Sequence, residues 1–172
     1  MPASFWSGPD AISHRFAAVN SDTSFSTSER IDFMEIKIQE LIDLALAKKE
    51  KAYVPYSQFS VGSAVQTESG ELVGGFNIEN ASYGATNCAE RTAIFCALQG
   101  GAKKIKALAV TGDPENYTYP CGICRQVMAE FGDPDMVVIV AKNRSEYHLH
   151  TLGEILPGAF TKQDLEGRED HV

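Results

Sequence analysis

The sequence predicts an α/β protein, a three-layer α-β-α sandwich with a central mixed sheet. Segments with helical spacing of apolar residues alternate with short apolar segments typical of buried strands, in the order α-β-β-α-β-α-β. Strands that are apolar along their whole length are buried on both faces and need helices on both sides. The 172 residues contain no internal repeat or interdomain linker, and they are enough for one domain with a full core.

The first predicted helix follows an N-terminal extension. Residues 1–27 are rich in Ser and Ala without sustained periodicity, and we interpret them as a flexible extension or leader, with Met34 as an alternative start. A transit peptide has little support because basic residues are scarce there. Ser26 and Glu29 have the spacing of a capping box, and the helix they begin ends in the charged run 48–51. Its apolar positions are Ile31, Met34, Ile38, Leu41, Ile42 and Ala45.

The remaining elements complete one domain, which we place at residues 28–165, before a C-terminal tail at 166–172. An antiparallel hairpin is predicted from two apolar segments joined by a polar turn that contains Gly70. Two helices are each headed by a cysteine, and the first is closed by two glycines. The predicted strands are 61–66, 72–77, 105–111, 136–141 and 147–151, the helices are 88–99 and 121–131, and the main loops are 79–86 and 113–119.

Composition and charge narrow the classes of function. A net charge of -8 disfavours a polyanionic partner, so we expect no nucleic acid partner. No apolar run approaches the ~18 residues of a membrane span, and residues 1–33 lack the apolar core of a secretory signal. Four cysteines are too few for a disulfide scaffold. We therefore expect a cytoplasmic protein without a membrane partner, in which clustered cysteines bind metal or take part in redox chemistry.

Three of the four cysteines form a pattern with a glutamate. Cys121 and Cys124 face one side if they lie in the first turn of a helix. Cys88 and Glu90 are two residues apart and can converge only if Cys88 lies at the very start of its helix, a boundary that suits Asn87. The spacing thus predicts two helix N-termini that point at one place.

Such a set of residues suits catalytic zinc. Three thiolates bind Zn(II) and leave a fourth position open for water, whose pKa the metal lowers. Glu90 can then take and deliver a proton without binding the metal. Three thiolates leave a net negative charge, which two helix N-termini and an arginine would offset. Arg91 is favoured over Arg125 for contact with a sulfur, because it lies three residues after Cys88.

Other interpretations remain for single features. A lone C-x-x-C also fits a redox pair or a structural zinc site. Cys96 is predicted to be a small core residue beside Phe95 and Leu98. The four histidines lie outside the pattern and are interpreted as surface or strand residues rather than ligands: His14, His148, His150 and His171.

The pattern C-x-E followed by P-C-x-x-C is the three-cysteine form of the zinc nucleobase deaminase signature. The segments VPYSQFSVGSAV, GFNIENASYGATNCAERTAIF, PCGICRQVMAEF and ILPGAF strongly resemble the short, homotetrameric cytidine deaminases of pyrimidine salvage. The resemblance extends over residues 36–165. It implies the cytidine deaminase-like fold, one zinc per subunit held by Cys88, Cys121 and Cys124, and Glu90 as the proton shuttle.

The resemblance also implies the reaction and the contacts with a nucleoside. Zinc-bound hydroxide would attack C4 of cytidine or deoxycytidine, giving uridine or deoxyuridine and ammonia. Asn77 and Glu79 would bind the ribose hydroxyls, and Phe59 would line the pocket. Main-chain groups of Ala89 and Cys121, together with the catalytic glutamate, would contact the base.

Neighbouring subunits of a homo-oligomer, a tetramer in this family, would share their active sites. Phe160 would stack on the base in a neighbour's site, and Tyr83 would lie at the same junction. Arg91 matches the family arginine that counters the thiolate charge. Ile123 replaces a common alanine and Tyr119 a common serine, which leaves the preference between cytidine and deoxycytidine open. The N-terminal extension has no counterpart in compact family members.

Two alternatives come from other functional classes. One is a related deaminase that acts on a nucleoside antibiotic or a polynucleotide. The acidic charge, together with Asn77 and Glu79, argues against a polynucleotide. The other is a non-catalytic zinc-binding module, in which Glu90 and an open metal position would have no purpose.

Overall fold

The computed structural model describes residues 36–165. Within them five strands and four helices follow one another, together with 3₁₀ turns at Tyr83–Ala85 and Lys162–Asp164. The helices are α1 (Ile38–Lys49), α2 (Ala89–Gln99), α3 (Gly122–Phe131) and α4 (Leu152–Ile155). The strands are β1 (Gly62–Thr67), β2 (Leu72–Phe76), β3 (Ile105–Thr111), β4 (Val137–Ala141) and β5 (Tyr147–Thr151).

The strands form one mixed sheet in the order β2-β1-β3-β4-β5. β1 pairs antiparallel with β2 and β3, β3 pairs parallel with β4, and β4 pairs antiparallel with β5. Every residue of β1 and β4 is buried, whereas β5 at the edge is half-buried throughout. The apolar sequences of the inner strands thus reflect helices on both faces.

Successive residues of β1 point to opposite layers, as the strand geometry requires. A Cβ atom on Gly62 would collide with the backbone of α1 at Ala45 and Lys49. Gly75, which pairs with Ser63 next to Gly62, lies against the start of α2. α1 therefore covers one face of the sheet, and α2 covers the other.

The main core lies between the sheet and the two cysteine-headed helices. It joins α2 and α3 to the inward side chains of β1, β3 and β4. This architecture confirms the predicted three-layer sandwich with a mixed sheet. The largest fully buried residues of this core include Ile94, Met128, Leu108, Val138 and Val140.

Some sequence-based predictions need correction. Cys96 is exposed rather than in the core, because the buried side of α2 is formed by Glu90, Ala93, Ile94 and Ala97. The short helix α4 was missed, although Thr151 and Glu154 form its capping box. A 3₁₀ turn also interrupts the predicted loop 79–86.

α1 begins at Ile38 without a side-chain cap. The predicted helix that includes Ile31 and Met34 is wrong at this point, because residues 36 and 37, directly before Ile38, are not helical. The predicted capping box of Ser26 and Glu29, the proposed extension at residues 1–27 and the tail at 166–172 lie outside the described residues. The boundaries of the predicted domain therefore stay predictions. Among residues 36–165, no helix has the length and apolarity needed to cross a membrane.

Candidate active site

Both cysteine-headed helices begin where the sequence predicts. Cys88 is the N-cap residue of α2 and Cys121 is the N-cap residue of α3. Each has extended backbone angles, and neither side chain caps its own helix. Their sulfurs are thus available to a shared site, and two helix N-termini contribute partial positive charge there.

Three cysteine sulfurs converge at these helix starts. The Sγ atoms of Cys88 and Cys121 are 4.0 Å apart, and those of Cys121 and Cys124 are 3.5 Å apart. All three lie within 4.8 Å of one another. Tetrahedral zinc–sulfur bonds of about 2.3 Å place sulfurs roughly 3.8 Å apart. The spacing of the three sulfurs and their chemistry therefore fit a zinc ion.

The thiols of Cys88 and Cys124 differ in pKa. A hydrogen bond with Cys124, with a further contribution from Arg91, lowers the pKa of Cys88 to about 5. The same hydrogen bond and burial raise the pKa of Cys124 above its ordinary value. Cys88 thus supplies a thiolate, the form in which cysteine binds metal, more readily than Cys124 does.

Glu90 lies in the first turn of α2 with only 4% of its surface exposed. Burial raises the pKa of its carboxyl group to about 7, and the negative charge of Cys88 acts in the same direction. A carboxyl group with such a pKa can both accept and donate a proton near neutral pH.

The two candidate arginines have different contacts. Arg91 donates from Nη2 to the carbonyl oxygen of Thr86 at 3.1 Å and to the Cys88 sulfur at 3.6 Å. Its buried Nε atom has no hydrogen-bond partner among the described residues. Arg125 donates instead to the carbonyl oxygens of Pro120 and Ile155, each at 2.8 Å. The sulfur contact thus belongs to Arg91, as the spacing predicts.

Asn77 and Phe59, both predicted to contact a nucleoside, lie together beside β1. The Asn77 side chain accepts from the Val61 N–H at 2.8 Å and donates to the Phe59 carbonyl at 2.9 Å. Asn77 is nearly buried, whereas the Phe59 ring is exposed. The amide of Asn77 therefore fixes the backbone that presents Phe59, which sequence reasoning did not anticipate.

Glu79 is joined to the cysteine site through the backbone. Its carboxylate accepts from the N–H groups of Tyr56 and Ser57 at 2.9 and 3.2 Å. A hydrogen bond from the Ser57 side chain lowers the pKa of Glu79. Ile78, between the two predicted ribose ligands, exchanges backbone hydrogen bonds with Asn87, the residue before Cys88. The segment that holds Asn77 and Glu79 thus abuts the start of α2.

The remaining predicted residues are distributed between the core and the surface. Ala89 is fully buried at the start of α2. Tyr83 and Phe160 are exposed over 74% and 55% of their surfaces. Tyr83 packs edge-on against Tyr56, and the Phe160 carbonyl accepts a hydrogen bond from Gln126 Nε2 at 2.7 Å. The backbone of Phe160 is therefore held by α3, the helix that begins after Cys121 and contains Cys124.

Comparison with known proteins agrees with this geometry. Residues 35–140 match the family model described as the cytidine and deoxycytidylate deaminase zinc-binding region. A cytidine deaminase of Sporosarcina psychrophila is 47% identical over 128 residues, which cover 74% of this chain and 94% of that protein. A probable cytidine deaminase of Dictyostelium discoideum is 42% identical over 75% of this chain and 87% of its own.

Solved structures show the same similarity. The crystal structure of a cytidine deaminase from Burkholderia pseudomallei is 45% identical, with a TM-score of 0.68, over 73% of this chain and all of that chain. Sequence, fold and the cluster of three cysteines beside a buried glutamate all lead to the same assignment. The chain belongs to the zinc-binding cytidine and deoxycytidylate deaminase family.

Proposed function

We propose that the protein is a zinc-dependent cytidine deaminase of pyrimidine salvage. It converts cytidine and deoxycytidine, with one water, to uridine and deoxyuridine, and it releases ammonia. The observation that carries the proposal is the convergence of three cysteine sulfurs beside a buried glutamate at two helix starts. A structural zinc site would not need Glu90, whose raised pKa suits proton transfer.

The cysteine cluster is the proposed metal site. Cys88, Cys121 and Cys124 would hold the zinc, and three protein ligands would leave it able to bind a water. When bound, zinc supplies a water molecule of lowered pKa, which can act as a nucleophile near neutral pH. Arg91 offsets thiolate charge through its contact with Cys88.

Glu90 carries the protons of the reaction. Its carboxylate takes a proton from the attacking water and delivers it to N3 of the pyrimidine as the oxygen adds to C4. It then transfers a second proton from the added hydroxyl group to the amino group, which leaves as ammonia. One carboxyl group can serve in both directions because burial brings its pKa to about 7.

Substrate contacts follow from the segments around the cluster. Asn77 and Glu79 would bind ribose hydroxyls with the hydrogen-bonding capacity left after their contacts within the chain. Phe59 would line the pocket, and main-chain groups of Ala89 and Cys121 would contact the base. These roles are supported by the backbone pairing of Ile78 with Asn87, which brings the ribose-binding segment to the start of α2.

The exposed aromatic residues support a shared site in a homo-oligomer, which we propose to be a tetramer. Phe160 would stack on a base in a neighbouring subunit, and Tyr83 would lie at the same junction. Their large exposed fractions suit such contacts. A site built from free thiols also suits a reducing compartment, so we propose the cytoplasm as the location.

A substrate panel tests the proposed function. Purified zinc-loaded protein is incubated with cytidine, deoxycytidine, CMP and single-stranded DNA, and the loss of cytosine absorbance is followed. We expect turnover of the two nucleosides alone. Turnover of DNA would favour a polynucleotide deaminase, and activity on none of them would contradict the proposed substrate class.

A further inference from the structure

Arg125 joins two parts of the chain that lie far apart in sequence. It follows Cys124 on α3, and its side chain is half-buried. Nε donates to the Pro120 carbonyl and Nη1 donates to the Ile155 carbonyl, each at 2.8 Å. A guanidinium group is planar and rigid, so two such hydrogen bonds fix the two carbonyls relative to each other.

The first of these contacts controls a peptide plane at the cysteine site. The Pro120 carbonyl belongs to the same planar unit as the N–H group of Cys121. Pro120 is buried, and Cys121 is the N-cap residue of α3. Arg125 therefore sets the direction of the Cys121 N–H and the path by which this cysteine enters the metal cluster.

The second contact controls the C-terminal segment. Ile155 is the last residue of α4, and five residues later the Phe160 carbonyl accepts from Gln126 Nε2 at 2.7 Å. Consecutive side chains of α3, Arg125 and Gln126, thus hold both ends of segment 155–160. The loop before Cys121 and the segment that carries Phe160 are fastened to the same helical turn.

We propose that Arg125 is a positioning residue that couples the loop before Cys121 to segment 155–160. Gln126 is the second anchor of that segment. A change in the position of either segment should then change the position of the other, since coupling between two sites is reciprocal. The exposed ring of Phe160 and the loop before Cys121 should therefore move together. The kinetic consequence of this proposal rests on the proposed function, whereas the coupling itself does not.

Hydrogen exchange of the zinc-loaded protein tests the two anchors separately. Arg125→Gln should accelerate amide exchange both in segment 117–122 and in segment 156–165 by about tenfold, because a hydrogen bond to a charged group is lost at each. Gln126→Ala, an exposed position, should accelerate exchange in 156–165. Arg144→Gln is the matched control, because Arg144 is a surface arginine that pairs with Asp43. Unchanged exchange in 156–165 of Arg125→Gln would overturn the proposal.

Zinc release to a chelator tests the coupling. Gln126→Ala should speed release several-fold, although the only hydrogen bond found for the Gln126 side chain among residues 36–165 is to the Phe160 carbonyl. In an Arg125→Lys background the same change should have little further effect, because one ammonium group cannot bridge both carbonyls. Additive effects would mean that the two residues act independently and would contradict the coupling. Arg125→Lys keeps the charge and serves if Arg125→Gln does not fold.

Steady-state kinetics separates this proposal from the proposed function. Arg125→Lys at full zinc content should raise KM for cytidine about tenfold and change kcat less, because the Cys121 N–H and Phe160 are both expected to contact the base. A fall in kcat alone would contradict positioning of those contacts. If the wild-type protein does not act on cytidine, the proposed function fails, and the exchange and zinc-release measurements still decide the role of Arg125.

Discussion

Glu90 and Arg91 are adjacent in sequence but act on different atoms of the site. Glu90 is buried with a pKa raised to about 7, which suits a group that carries protons. Arg91 reaches back over one helical turn to the Cys88 sulfur. Because they lie at the start of α2, one helix N-terminus positions the proposed metal ligand Cys88, the proposed proton carrier and the proposed compensating charge.

The glutamine variant of Glu90 separates metal binding from proton transfer. Glu90→Gln should keep about one zinc per chain, while kcat for cytidine falls by roughly a hundredfold to ten-thousandfold because an amide cannot shuttle protons. Zinc content is measured by elemental analysis, and Glu130→Gln on the exposed side of α3 is the control. Near-normal turnover of Glu90→Gln would refute the proposed mechanism.

Removing the charge of Arg91 should leave the negative charge of the cysteine cluster less compensated. Arg91→Gln loses the hydrogen bond to the Cys88 sulfur, so the thiolates would donate more electron density to a bound zinc and its water would be harder to ionise. We expect kcat to fall about tenfold to a hundredfold, since a hydrogen bond to a charged group contributes roughly 1.5–3 kcal/mol. Unchanged kcat and an unchanged pH profile would show that Arg91 does not compensate the charge.

At the scale of elements, the start of α2 depends on close contact with β2. A Cβ atom added to Gly75 would lie 2.8 Å from the Ala89 carbonyl oxygen and 2.9 Å from the Ala93 Cα atom. These backbone atoms belong to the helix that begins directly after Cys88. The distance between sheet and helix therefore decides where the cysteine and Glu90 lie.

A methyl group at this contact should disturb both stability and the metal site. Gly75→Ala should lower the free energy of unfolding by about 1–3 kcal/mol through overpacking, and it should weaken zinc retention because α2 is pushed from the sheet. The measurements are denaturant unfolding and zinc release to a chelator. Gly84→Ala is the control, since a Cβ atom there meets no atom within 4 Å. Equal behaviour of the two variants would contradict this account.

β5 carries a polar cluster that should respond to acid. The Tyr119 hydroxyl lies 3.2 Å from His148 Nδ1 and 3.2 Å from His150 Nε2, and burial lowers the pKa of both histidines. Below pH ~6.5 these histidines therefore bind more protons in the unfolded chain than in the folded chain. The free energy of unfolding thus falls as the pH decreases.

The pH prediction is tested by removing the two titrating groups. Between pH 7 and about pH 5.5 the Tm of the wild-type protein should fall more than that of His148→Gln/His150→Gln. Both proteins carry the cysteine cluster, so its own titration cancels in the comparison. Parallel slopes for the two proteins would show that these histidines are not perturbed in the folded state.

At the scale of the whole molecule, the proposed active site needs two chains. Phe160 is held by its backbone on α3, while its ring is exposed. The three cysteines that could hold a metal and Glu90, by contrast, all lie within one chain. A closed oligomer would repeat the contact between ring and neighbouring pocket around its symmetry axes.

Mixing variants tests this sharing. Phe160→Ala should raise KM without loss of zinc, because base–aromatic stacking contributes roughly 1–3 kcal/mol. Glu90→Gln and Phe160→Ala chains, dissociated and reassembled together, should exceed the summed activity of the parents at low substrate, since some hybrid sites combine both intact residues. Glu90→Gln mixed with Cys88→Ala is the control that should show no gain. No gain in the first mixture, with hybrids confirmed by mass, would place Phe160 outside a neighbour's site.

The sequence alone determined the architecture and the core of the candidate site. Apolar periodicity located the five strands, α2 and α3 within one residue, because burial of a strand or of a helix face restricts the residue types found there. It placed the start of the first helix too early and missed the short α4. The start of each cysteine-headed helix was also predicted, since helix boundaries follow from local spacing. Convergence of Cys88 with the C-x-x-C pair then followed from the pattern of ligands.

Only the tertiary structure decided how these parts are held together. Arg125 binds a carbonyl thirty residues away, and Asn77 binds a backbone eighteen residues before it. Cys96 proved exposed because which side of α2 is buried depends on the sheet beneath it. Such contacts join residues through the folded backbone, whose carbonyl and N–H groups are the same for every residue type. They therefore leave no pattern in the sequence, whereas the ligand types of the cysteine site do.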